Sequence, residues 1–176
     1  MGEELRLLLS PERIAERVKE LGREISQLYR GRPLVLLGIL KGAFVFLADL
    51  MRAIDLPEVQ VDFIRLKSYG FSDTSAGEVQ ITKDVELPLR GKDVLVVEDI
   101  VDTGYTLAFL REHLRTHEPA SVRFCCFIDK AERRKVPLEL DFVGFKIPRG
   151  FLVGYGLDYA ERYRHLPGVY EVLLQK

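Results

Sequence analysis

VLVVEDIVDTGYT, residues 94–106, passes from four apolar residues into acids and then into two threonines and a glycine. A short unbroken apolar run of this kind suits a strand buried on both faces, as in a parallel sheet. The residues that follow fit a helix over about 103–117, with Leu107, Leu110 and Leu114 on one face. The same alternation extends outward in both directions. LVLLGIL, 34–40, is a second continuous apolar run, followed by a largely buried helix over 42–55, and SVRFCCFID, 121–129, is a third such strand. Near the N-terminus Ser10-Pro11 reads as a helix cap with proline at the first helical position. Ile14, Val18, Leu21, Ile25 and Leu28 then recur at helical spacing as far as Gly31. VQVDFIRLKSY, 59–69, and VQITKDVEL, 79–87, are strand-like around a small, polar loop at 70–78, and short strands are predicted at 142–147, 151–155 and 169–174. Strand and helix in alternation predict a single α/β domain whose central, mostly parallel sheet is flanked by helices. Ligands of such sheets bind beyond the carboxyl ends of the strands, so the polar residues there carry the chemistry.

Bulk properties narrow the functional classes. A chain of 176 residues suits one domain. A net charge of −1 supplies no global field to recruit nucleic acid or an anionic membrane, so a phosphate site has to be built locally. No apolar run approaches the roughly 20 residues that span a bilayer. MGEELRLLLSPER carries acids early and does not read as a signal peptide, and Arg6 stands where a myristoylation motif at Gly2 wants Ser or Thr. Cys125 and Cys126 are adjacent in a strand and point to opposite faces, which disfavours a disulfide framework and leads to the expectation of a reducing, cytoplasmic setting.

In the opening stretch Asp102-Thr103-Gly104-Tyr105-Thr106 falls where the helix begins. Two hydroxyls, a glycine and the backbone N–H groups of a helix N-terminus make an anion cradle. Neither GxxxxGK[ST] nor GxGxxG occurs in the chain. Three carboxylates, Glu98, Asp99 and Asp102, crowd the cradle. Carboxylates repel phosphate, so they must serve hydroxyls, a metal or a titrating nitrogen in the same ligand. A sugar phosphate with a cis-diol meets that demand, its 2- and 3-hydroxyls donating to Glu98 and Asp99.

The stretch also resembles the phosphoribosyl-diphosphate (PRPP) signature of the hypoxanthine-guanine phosphoribosyltransferases, and the likeness runs in several ordered segments from about residue 35 to 173. It implies the type I phosphoribosyltransferase fold, with a core at about 34–150, a small hood from about 1–15 and 150–176, and a flexible flap at about 68–78 beginning at Ser68 and Tyr69. In GILKGAFVF, 38–46, it implies a pyrophosphate site at Lys41 and Gly42 with a cis peptide bond at Leu40–Lys41. Lys130 is implied to donate to the 6-oxygen of a purine, and the run at 132–135 reads as solvated charge. In FLVGYGLDYAERYR, 151–164, the resemblance makes Phe151 a stacking face for the base, Leu152 part of the purine edge, Asp158 a ligand of Mg2+ and a purine-site residue, and Arg164 a pyrophosphate contact. The resemblance further implies Glu98 and Asp99 as Mg2+ ligands, Asp102 as the general base, and residues 102–106 as the holders of the 5-phosphate. Without the family, Phe151 reads as core and Arg164 as a surface charge.

The implied reaction is PRPP plus a 6-oxopurine giving a nucleoside monophosphate and pyrophosphate, with Mg2+ as cofactor and a homodimer or homotetramer as the assembly. Two other readings stay open: a phosphoribosyltransferase preferring xanthine or a pyrimidine, and an RNA-binding regulator on the same fold, which Arg133, Arg134 and Lys135 alone support poorly. His113 and His117 stand four apart on a helix surface, but HLRTH lacks the glutamate of a metallohydrolase HExxH.

Overall fold

The computed structural model describes residues 3–69 and 77–173. Its main sheet contains β2 (Leu34–Leu40), β3 (Val59–Tyr69), β4 (Glu78–Lys83), β5 (Asp93–Val101), β6 (Ser121–Asp129) and β7 (Phe142–Lys146), in the order β4-β3-β2-β5-β6-β7. All neighbours are parallel except β3 and β4, which form an antiparallel hairpin at one edge. The three apolar runs are therefore adjacent at the centre: β2, β5 and β6. A second, three-stranded antiparallel sheet joins β1 (Glu4–Leu9) to β9 (Val169–Leu173) and β8 (Leu152–Val153), so segments near the two ends of the sequence pair with each other.

Period-two alternation divides the central strands between two cores. Leu36, Leu95, Val97 and Cys125 face α1 (Pro11–Leu28) and α2 (Phe44–Ala53), where Ile14, Leu21, Ile25, Phe46 and Leu50 are also buried. Val35, Leu37, Val94, Val96 and Cys126 face the other way, onto Leu107, Leu110 and Leu114 of α3 (Tyr105–Arg115). The adjacent cysteines thus lie in different cores as free, buried thiols, and burial pushes both thiol pKa values up. The α1 helix starts where Ser10 Oγ accepts a hydrogen bond from Arg13 N at 3.2 Å.

The helices expected over 42–55 and 103–117 and the strand expected over 151–155 are shorter, at Phe44–Ala53, Tyr105–Arg115 and Leu152–Val153, and three further differences have identifiable reasons. β5 runs on through Val101, because Ile100 and Val101 still pair with Ile128 and Asp129 of β6. The strand expected over 79–87 stops at Lys83: the N–H groups of Glu86 and Leu87 donate to Asp62 Oδ2, both at 2.8 Å, instead of continuing a ladder. β1 was not expected as a strand, although the family likeness joins about 1–15 to 150–176, because its partner β9 lies at the other end of the chain and no local pattern announces that pairing.

The apolar layer makes a stability test. Leu36 is fully buried whereas Leu28 keeps 39% of its surface exposed. Leu36→Ala is expected to destabilise the fold by about 2–5 kcal/mol, and Leu28→Ala by roughly 0.5 kcal/mol or less, read as the shift in urea unfolding midpoint at constant slope.

Candidate active site

The carboxyl ends of β2, β5 and β6 converge, and each delivers a polar loop. At the end of β5 Glu98 is buried; burial, with the charge of Asp99 beside it, pushes the Glu98 carboxyl well above the usual carboxylate range. Glu98 Oε1 accepts from Asp99 N at 2.8 Å and Asp99 Oδ1 from Ile100 N at 2.6 Å, which fixes both side chains. The two carboxyl groups stay close enough for Asp99 to act on Glu98, yet each also has surroundings of its own. Glu98 lines a small cavity of about 110 Å3 with Asp102, Thr103, Gly104 and Thr106. Asp99 packs instead on the turn after β2, where a Cβ at Gly42 would lie 1.7 Å from Asp99 Oδ2. The Leu40–Lys41 peptide bond in that turn is cis.

Gly104 caps α3 at φ 92°, in the left-handed region, and no side chain caps the helix there. The glycine is required twice over. A Cβ would meet Arg134 Cδ at 2.9 Å, and the positive φ strains any other residue. The first turn of α3 thus faces the cavity with a backbone suited to an anion.

The loop after β6 clamps this first loop. Lys130 N donates to Val101 O at 3.0 Å and Lys135 N to Thr103 O at 2.9 Å. Arg134 donates to the backbone oxygen of Asp102 at 3.1 Å and pairs with Asp129 at 2.5 Å, while Arg133 Nε lies 2.8 Å from Asp102 Oδ1. This corrects the reading of 132–135 as solvated charge for Arg134, which is largely buried, and for Arg133, which is exposed but paired, while Glu132 and Lys135 are exposed as that reading expects. Arg133 and Arg134 compensate the acids at the sheet end, and the excess of carboxylates in the opening stretch was the signal that such cations were needed.

A cleft of about 620 Å3 opens beside the clamp, lined by Asp102, Lys130, Arg133, Gly150 and Phe151 among others. Lys130 is buried and its Nζ donates to Gly150 O at 2.7 Å. Burial pulls its pKa below the usual lysine value; Asp102 opposes that shift and Arg133 adds to it. Phe151 is 50% exposed and meets Tyr159 edge-on at 5.3 Å. Phe151 therefore lines the cleft and does not belong to the core. Leu152, next in sequence, is buried in β8.

The 151–164 segment returns to the turn after β2. A Cβ at Gly156 would lie 2.5 Å from Gly42 O. Glu161 bridges Lys41 Nζ at 2.9 Å and Arg164 at 3.1 Å, and Arg164 also pairs with Asp158 at 3.3 Å. Those contacts, Lys41 first and then Arg164, hold the Glu161 carboxyl below the usual range. Sequence reasoning passed over Glu161, although a glutamate between two expected phosphate cations could have flagged it. Lys41, Gly42, Asp158 and Arg164 are thus gathered in one patch, joined to Asp99 through Gly42. Ser68 and Tyr69 are exposed at the end of β3, and most of the expected flap lies outside the described residues.

Three comparisons agree with this geometry. The phosphoribosyl transferase domain family matches residues 8–160. A hypoxanthine-guanine phosphoribosyltransferase of Aquifex aeolicus is 49% identical over 97% of this chain and 96% of its own. The chain belongs to the hypoxanthine-guanine phosphoribosyltransferase family. A hypoxanthine phosphoribosyltransferase of Salmonella typhimurium is 46% identical over 99% of this chain and 98% of its own. The crystal structure of a hypoxanthine-guanine phosphoribosyltransferase from Bacillus anthracis superposes with a TM-score of 0.91 at 44% identity, covering 98% of this chain and 100% of that one.

For a phosphoribosyltransferase of this geometry, the contact between Gly42 and Asp99 is a sensitive point. Gly42→Ala has to displace either the turn or the carboxylate. Since a misplacement of about 1 Å can cost on the order of 100-fold in rate, the variant is expected to lose activity to about that extent. Steady-state assay beside wild type checks this, with circular dichroism as the control for folding.

Proposed function

We propose that this chain transfers the 5-phosphoribosyl group of PRPP to hypoxanthine or guanine, giving IMP or GMP and pyrophosphate, as a purine salvage enzyme. The observation that carries the proposal is the single cleft lined by Asp102, Lys130 and Phe151, directly beside the anion cradle at the start of α3. An ammonium group has donors and no acceptor. A buried lysine therefore favours a ring with an oxo group at position 6, and it disfavours adenine, whose amino group would be set against it. Phe151 offers its face to the base, and the backbone near Leu152 its edge.

In this reading residues 102–106 hold the 5-phosphate and Glu98 and Asp99 accept from the ribose hydroxyls. Lys41, Gly42 and Arg164 take the pyrophosphate, which replaces the Glu161 carboxylate as the partner of Lys41 and Arg164. N9 of the base forms the bond to C1 of the ribose while the bond from C1 to the pyrophosphate oxygen breaks. Asp102 accepts the N7 proton as N9 attacks and returns it in the reverse direction. Fixing both reactants on one rigid sheet end makes positioning the main source of rate. Ser68 and Tyr69 belong to a flap that shields the oxocarbenium-like transition state from water.

Asp158, Glu98 and Asp99 are hard oxygen donors of the kind Mg2+ takes together with substrate oxygens. Bound there, Mg2+ would neutralise charge on the departing pyrophosphate. The proposal includes a cytoplasmic location and a homodimer or homotetramer; light scattering of the purified chain checks the latter. No helix among the described residues is long and apolar enough to cross a membrane.

Pyrophosphate release from PRPP and Mg2+ with a panel of hypoxanthine, guanine, xanthine, adenine and uracil tests the assignment directly. Release with the first two is expected, and release only with uracil, or with none, would overturn it. Asp102→Asn is expected to lower kcat by about 100-fold or more with the KM for PRPP little changed. Lys130→Ala is expected to raise the KM for hypoxanthine by on the order of 10–100-fold and to spare that for PRPP. Equal losses toward both substrates would contradict either role.

A further inference from the structure

Asp84, the residue that follows β4, meets His113 near the C-terminal end of α3. His113 lies in the last turn of the helix and His117 just beyond it. His113 Nε2 is 3.0 Å from Asp84 Oδ1, and one ligand atom from each of Asp84, His113 and His117 lies within 4.8 Å of the other two. The imidazoles stand edge to face with centroids 5.3 Å apart, and both are partly buried. The cluster is braced: Asp84 Oδ1 also accepts from Val85 N at 2.7 Å, and the His113 ring lies parallel to that of Phe109. None of the three lines the cleft or the cradle cavity.

We propose that Asp84, His113 and His117 form a binding site for a divalent transition metal of the zinc class, separate from the reaction centre. Two imidazoles and a carboxylate are zinc ligands by chemistry, and a fourth position is left for water. Mg2+, which takes oxygen ligands, does not compete well for such a set. His113 is held by the last turn of α3, His117 by the turn that follows it, where His117 N donates to Leu114 O at 3.0 Å, and the third ligand comes from another element. The absence of a glutamate between the histidines removes the general base of a hydrolase. The role assigned to the metal is a tie between two elements: it joins the chain leaving β4, the return strand of the β3–β4 hairpin, to the helix whose first turn forms the phosphate cradle.

Zinc titration of the untagged protein by calorimetry, in excess Mg2+ to fill oxygen-only sites, tests this. One zinc per chain is expected at micromolar free zinc. Loss of a mere outer-shell partner costs about 10–100-fold in metal affinity, so loss of a ligand in His113→Ala, His117→Ala or Asp84→Ala is expected to weaken binding by at least about tenfold. Zinc at about 100 times the wild-type Kd should raise the Tm of the wild type by on the order of 5–10 °C, and that of each variant by about half as much or less. A readout on the unaltered chain guards against variants that fold poorly. The protein has 3 histidines, and in NMR spectra zinc should shift the imidazole signals of His113 and His117 while leaving His165 in place. No saturable binding in excess Mg2+, wild-type affinity in the variants, or shifts confined to His165 would each overturn the proposal.

Discussion

The parallel pairing of β2 with β5, from Leu34 opposite Asp93 to Gly38 opposite Val97, is the constraint on which the rest depends. It places the turn at Lys41 and Gly42 against the acids at the end of β5, closely enough that only a glycine fits beside Asp99. Both strands are buried on both faces, so neither can slip by one residue without sending its apolar side chains into the wrong core. The register set by hydrophobic packing thereby fixes the separation of two polar loops that have no other strong reason to meet.

Electrostatics then has to be balanced at that crowded end. Glu98, Asp99, Asp102 and Asp129 would repel one another, and Arg133, Arg134 and Lys130 close over them. A second balance operates across the turn, where Glu161 bridges Lys41 and Arg164. These pairs differ in character. Arg134 with Asp129 is well buried and shapes the loop, whereas Lys41 with Glu161 is largely exposed and screened by solvent. An anionic ligand can displace the exposed pair at small cost, while the buried one stays to hold the loop.

Much of this was legible from residue pattern. The central strands 34–40 and 121–129 were placed to the residue because continuous apolar runs flanked by polar residues leave little freedom. Likewise the cis bond at Leu40–Lys41 and the gathering of Asp102, Lys130 and Phe151 followed from the family likeness. What escaped was long-range or electrostatic. β1 depends on a partner more than 150 residues away, the end of β4 on a carboxylate in β3, and the roles of Arg133, Arg134 and Glu161 on contacts that arginine and glutamate make in any surface context. Charged residues carry no periodicity from which burial can be read, so their partners emerge only with the fold. His113 and His117 were visible as a spaced pair, but Asp84 joined them only in three dimensions.

The most direct measurement is a crystal structure of the chain with IMP bound. The 5-phosphate is expected on residues 102–106 at the start of α3, the ribose hydroxyls on Glu98 and Asp99, and the purine over Phe151 with its 6-oxygen in hydrogen-bonding reach of Lys130 Nζ. Nucleotide seated elsewhere, for example in the apolar cleft lined by Phe44, Tyr155 and Leu166, or bound with the base turned away from Lys130, would contradict the account.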